Sequence, residues 1–115
     1  MPFRRAIPPP TRAQQRRQDA IRELGCLLCM TEGLGFSPAE IHHITDCGRT
    51  ISQDHTIGLC EWHHRGVTHF KPEQATKIYG PSLARGAKPF RAHFGTNQEL
   101  LEMQNTVLKM GGYSE

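Results

Sequence analysis

Residues 39–66 read AEIHHITDCGRTISQDHTIGLCEWHHRG, and they hold two histidine doublets, His42–His43 and His63–His64, in a chain of 115 residues with only seven histidines. The first doublet lies in AEIHHI, short and apolar at alternate positions, which predicts a strand. TDCGRTISQD supplies turn residues, HTIGLC predicts a second strand, and CEWHHRG opens a helix that Gly66 interrupts. Taken singly, each histidine is most simply a satisfied, partly buried imidazole. Taken together they are not, because six of the seven lie between positions 42 and 69, inside one strand–strand–helix unit.

The cysteines point the same way. Cys26 and Cys29 form a C-x2-C pair, and thirty residues later Cys60 and His63 form a C-x2-H pair. Two such knuckles supply the four ligands of a structural zinc, because each spacing lets two side chains from one tight turn converge on one ion. The alternative, free buried thiols and a surface histidine, needs two correctly spaced pairs to arise by chance. Cys47, in TDCGRT, reads as a free thiol in a turn, or as a substitute for His63. With His63 in the knuckle, His64 is released for other work. The zinc would fasten the start of the helix to the loop before the first strand and so bring His64 near IHHI. Successive strand residues point to opposite faces, so His42 and His43 can share a site only where the strand ends or bulges.

The run AEIHHITDCGRTISQDHTIGLCEWHHRG, preceded by CLLC and followed by YGPSLARGAKPFRAHFGTNQELL, resembles the H-N-H (His-Me finger) endonucleases. In detail it is most similar to the phage recombination-enhancement Ref nucleases, whose cleavage depends on RecA. The likeness spans roughly residues 24–108. It implies an α+β fold: a small zinc-braced ββα-metal hairpin with flanking helices, carrying one hydrolytic divalent metal. It implies His42 and His64 as ligands of that metal and His43 as general base. Where many H-N-H nucleases have asparagine before the second strand, this chain has His55, which would orient the base through its backbone or ring. For a third protein ligand His69 is the first choice and His93 the second, with water as the alternative. Arg49 and Arg65 flank the site in sequence and are either phosphate clamps or simply exposed.

The chemistry so implied is metal-assisted hydrolysis of DNA phosphodiesters. An imidazole with the ordinary pKa near ~6.5 can take a proton from water at physiological pH. The working ion expected in cells is Mg2+, for its abundance, while Mn2+, Ni2+ or Zn2+ would bind the nitrogen ligands of the purified protein more tightly.

The net charge of +3 is unevenly spread. Residues 1–25 carry six arginines (Arg4, Arg5, Arg12, Arg16, Arg17 and Arg22) against Asp19 and Glu23, a net of +4, which leaves −1 for the other ninety residues. MPFRRAIPPP is too rich in proline for regular structure, so residues 1–10 read as a flexible basic arm ahead of one nuclease domain over 11–115. Thr11 and Gln14 have capping-box spacing and predict a helix over 11–24, closed by Gly25. The arginines Arg4, Arg5, Arg12, Arg16 and Arg17 would grip DNA phosphates without reading sequence; the plainer reading is a solvated helix face.

Farther on, KPEQATKIYG predicts a short helix, PSLARGAKPF a loop, and RAHFG a helical turn. Thr96 and Glu99 start a last helix with Leu100, Met103, Val107 and Met110 on one face, most simply core packing. No apolar run approaches the roughly 18 residues of a membrane span, and the N-terminus lacks the apolar segment of a secretory signal. The cytoplasm of a bacterial host is the expected compartment, with DNA and a RecA filament as expected partners. A different class also fits these residues: a non-catalytic zinc module that binds DNA or a recombination protein and uses His42, His43 and His64 only as structure.

Overall fold

The computed structural model describes residues 7–46 and 49–113. Arg4, Arg5 and Cys47 lie outside the described residues, as does the side chain of Arg49. The first helix, α1 (Arg12–Leu24), starts where Thr11 and Gln14 cap each other reciprocally. Gln14 N–H donates to Thr11 Oγ1 at 3.2 Å, and Thr11 N–H donates to Gln14 Oε1 at 2.9 Å. It stops at Gly25, whose φ of 85° a side chain would resist. A short helix, α2 (Leu27–Thr31), follows, capped by Cys26.

Strand β1 (Glu40–His43) pairs antiparallel with β4 (Thr56–Leu59) in the register Glu40↔Leu59, Ile41↔Gly58, His42↔Ile57 and His43↔Thr56. Between them β2 (Thr45–Asp46) and β3 (Arg49–Thr50) form a second, smaller antiparallel pair. Helix α3 (Glu61–Arg65) leaves β4 directly, begins at Cys60 and ends at Gly66 in the left-handed region. The observed architecture is thus α+β, with a two-stranded antiparallel sheet flanked by helices.

Helices cover β4, all four of whose residues are buried. Ile21 of α1 lies so close to Gly58 that a Cβ there would stand 2.6 Å from Ile21 Cγ2, so glycine lets helix and strand approach. The Gly58 N–H donates to Gln104 Oε1 at 2.8 Å, which ties β4 to the last helix, α6 (Asn97–Met110). That helix has the expected Thr96–Glu99 capping box. Its buried line is Leu100, Gln104 and Leu108, with Met103 and Val107 partly covered, whereas Met110 is 83% exposed at the helix end. The expected stripe therefore stops one turn early.

After α4 (Pro72–Tyr79), the expected loop at 81–90 is mostly helical: a 3-10 turn over Leu83–Arg85 and then α5 (Ala87–Phe94). Pro89 sits in the first turn of α5, where its missing N–H costs nothing, and buried Phe90 anchors the turn in the core. RAHFG is the end of this helix rather than a turn of its own. Among the described residues, no helix is long and apolar enough to cross a membrane.

Candidate metal centre and histidine cluster

The caps of α2 and α3 build the first site. Cys26 caps α2 and Cys60 caps α3, each sulfur accepting the backbone N–H three residues on, and that turn delivers Cys29 and His63 to the same point. The ligand atoms of Cys26, Cys29, Cys60 and His63 all lie within 4.8 Å of one another and are buried. Cys29 Sγ is 3.8 Å from Cys60 Sγ, and His63 Nδ1 is 3.5, 3.7 and 3.2 Å from the sulfurs of Cys26, Cys29 and Cys60. A tetrahedron with Zn–S near ~2.3 Å and Zn–N near ~2.0 Å has edges of roughly 3.8 and 3.5 Å, so the four groups fit a zinc.

The proton chemistry agrees with that fit. Hydrogen bonds with Cys29 and Cys60 push the Cys26 thiol up, while those with Cys26 and Cys29 pull Cys60 down. Burial works against a charge on His63, but Cys29 and Cys60 and then the Tyr79 carbonyl push it up to about 10. Thiols and an imidazole packed this closely are satisfied together by one divalent cation. His63 Nε2 lies 2.7 Å from the Tyr79 carbonyl, which fixes Nε2 as the N–H and leaves Nδ1 to the metal.

The second doublet partner faces elsewhere. On β1, Glu40 and His42 share a face, and both meet His64 of α3. The rings of His42 and His64 lie 5.2 Å apart, centroid to centroid, and His64 Nδ1 is 2.8 Å from Glu40 Oε1. Burial first, then the neighbouring His64 and His43, push His42 down to about 4, so its imidazole stays neutral with a lone pair free near pH 7. The Arg65 guanidinium, and next His64, hold Glu40 below the usual carboxylate range. An ionised carboxylate only accepts, so His64 Nδ1 is the donor and its Nε2 is left to a ligand, the arrangement that orients metal-binding histidines.

His43, the last residue of β1, has a different partner: its Nε2 lies 2.7 Å from Gln53 Oε1. At the strand end the doublet thus divides its partners, His42 meeting His64 and His43 meeting Gln53.

The other predicted residues have partners of their own. His55 does not orient His43 with its ring: its Nδ1 is 2.6 Å from Ser52 Oγ, and its carbonyl accepts from Ile44 N–H. Arg65, half exposed, pairs with Glu40, its Nε 2.8 and 2.9 Å from the two carboxylate oxygens. Arg17 is only 3% exposed, because its guanidinium donates to the Thr56 hydroxyl and carbonyl and to Asn105 Oδ1. It secures β4 instead of meeting solvent. Among the described residues, the cysteine–histidine cluster is the one set of three or more His, Cys, Asp or Glu ligand atoms gathered within 4.8 Å, so His69, which is exposed, is not gathered with His42 and His64. His93 stands edge-on to Phe94 and 3.9 Å from Glu32.

Two functional candidates escape a reading of the sequence alone. Glu40 had a signal, since strand period puts it on the His42 face; Gln53 had none, because only folding brings its loop to His43. A family model described as "Recombination enhancement, RecA-dependent nuclease" matches residues 10–109. No curated protein matches the chain significantly.

Proposed function

Since the chain belongs to the recombination-enhancement, RecA-dependent nuclease family, we propose that it is an H-N-H-type endonuclease that hydrolyses DNA with one divalent metal held by His42 and His64, and that it acts on RecA-coated DNA in phage-associated recombination. One observation carries the reading: strand pairing and the turn into α3 set His42 against His64 while His43, the adjacent residue, stands free of that pair.

His43 is the general base. It takes a proton from water, the water oxygen bonds to phosphorus in line with the leaving 3′ oxygen, and the P–O3′ bond breaks to give 5′-phosphate and 3′-hydroxyl ends. When bound, the cation, Mg2+ in cells, would stabilise charge on the phosphorane and on the departing oxygen. Glu40 orients His64, and Arg65 offsets the carboxylate charge so that Glu40 stays ionised beside it. Cys26, Cys29, Cys60 and His63 would hold a zinc that braces α2 against α3 and so would fix where His64 points. Exposed Arg12 and Arg16, with Arg4 and Arg5 of the arm, hold phosphates without reading sequence.

Nicking of supercoiled plasmid by the zinc-loaded protein, with and without added Mg2+ and a RecA filament, tests this reading. Metal-dependent cleavage enhanced by the filament is expected. DNA binding without cleavage under any of these conditions would overturn it in favour of a non-catalytic zinc module.

A further inference from the structure

Gln53 lies in the loop that leads into β4, and its side-chain amide meets three parts of the molecule. Its Oε1 is 2.7 Å from His43 Nε2 and accepts from Gln18 Nε2 at 2.9 Å, while its Nε2 donates to the Pro8 carbonyl at 3.1 Å. A carbonyl oxygen can only accept, so the amide nitrogen must face Pro8 and the amide oxygen must face His43. Gln18, 6% exposed on α1, approaches the same oxygen as a donor and agrees with that orientation. An oxygen facing a ring nitrogen is satisfied only by an N–H. His43 therefore carries hydrogen on Nε2, and in the neutral ring the lone pair lies on Nδ1.

We propose that Gln53 is the positioning residue of the general base: its amide, oriented by the Pro8 carbonyl and by Gln18, holds His43 in the Nε2–H tautomer so that Nδ1 takes the proton from water. The assignment rests on the reading of His43 as base. Its content is separate, because which nitrogen acts is decided outside β1, by α1 and by the segment before it. After proton transfer the imidazolium keeps its Nε2–H bond to Gln53, so the ring need not turn during the reaction.

The test uses full-length, zinc-loaded protein and three variants. Long-range proton–nitrogen NMR correlations, with the His43 ring identified by its loss in His43→Gln, should show Nε2 protonated in the parent. Gln53→Ala should give a mixture of tautomers and lower kcat by roughly tenfold or more, with KM, zinc content and melting temperature little changed. Gln53→Glu keeps an acceptor oxygen for His43 and should restore both the tautomer and much of kcat. A parent ring with its lone pair on Nε2, a Gln53→Ala protein with parental tautomer and kcat, or a Gln53→Glu protein no better than Gln53→Ala overturns the proposal. Parental cleavage by His43→Gln would overturn the base assignment instead, while the nitrogen shifts still report whether Gln53 sets the tautomer.

Discussion

Glu40 Oε1 lies 2.8 Å from His64 Nδ1, a contact that, beside the Arg65 bonds to the same carboxylate, links the first residue of β1 to α3 and leaves the far nitrogen of the imidazole available. Removing the carboxylate should loosen the ring without touching the cysteines. Glu40→Ala is expected to weaken Mn2+ or Mg2+ binding roughly 10- to 100-fold, the usual worth of such an outer partner. Titration calorimetry and the metal dependence of nicking measure it, and zinc content should not change.

The two histidine doublets should separate by substitution. His43→Ala is expected to cut cleavage by roughly 10²- to 10⁴-fold while both metals stay bound. His64→Ala should lose the added divalent metal and keep zinc. His63→Ala should loosen zinc first and lower activity through folding. Metal analysis, thermal melts and a nicking assay on the three variants report the difference; loss of the same metal from His63→Ala and His64→Ala would contradict two separate sites.

Zinc removal should be a folding event. Cys26 and Cys60 each cap a helix as well as pointing into the cluster, so replacing either with serine removes one ligand of the set. The Cys26→Ser and Cys60→Ser proteins are expected to bind far less than one zinc and to lose cooperative unfolding. A zinc-free protein with an unchanged melt would refute the structural role.

Acid should weaken the fold through His42. Its folded value of about 4 lies below the ordinary 6.5, so as pH falls between those values the unfolded chain takes up the proton first. Stability is therefore full above about pH 6.5 and declines towards pH 4, by at most roughly 3 kcal/mol from this group. Without added divalent metal, chemical denaturation across that range should show a smaller decline in His42→Gln than in the parent.

The arginines of α1 should divide by burial. Arg17→Ala is expected to destabilise the protein by roughly 2–4 kcal/mol, because it leaves the Thr56 carbonyl and Asn105 without their charged donor. Arg12→Ala with Arg16→Ala should leave the melt unchanged but weaken DNA binding and flatten its salt dependence, by roughly 0.9 log units of slope for each phosphate that is no longer neutralised.

Local chemistry fixed much of this molecule in advance. Capping boxes at Thr11–Gln14 and Thr96–Glu99, the glycine stops and the paired C-x2-C and C-x2-H knuckles depend on residues three or fewer apart, so spacing alone revealed them. The same holds for the strand at IHHI and the helix after Cys60. Tertiary structure decided what no spacing encodes: that Arg17 turns inward to Thr56, that Arg65 is held by Glu40, and that Gln53 rather than the His55 ring meets His43. Each of those pairings joins elements at least ten residues apart, and each is chosen by which face of a helix or strand the core covers. A polar side chain looks alike in sequence whether it ends in water or against a buried carbonyl; only packing, by taking the water away, assigns its partner.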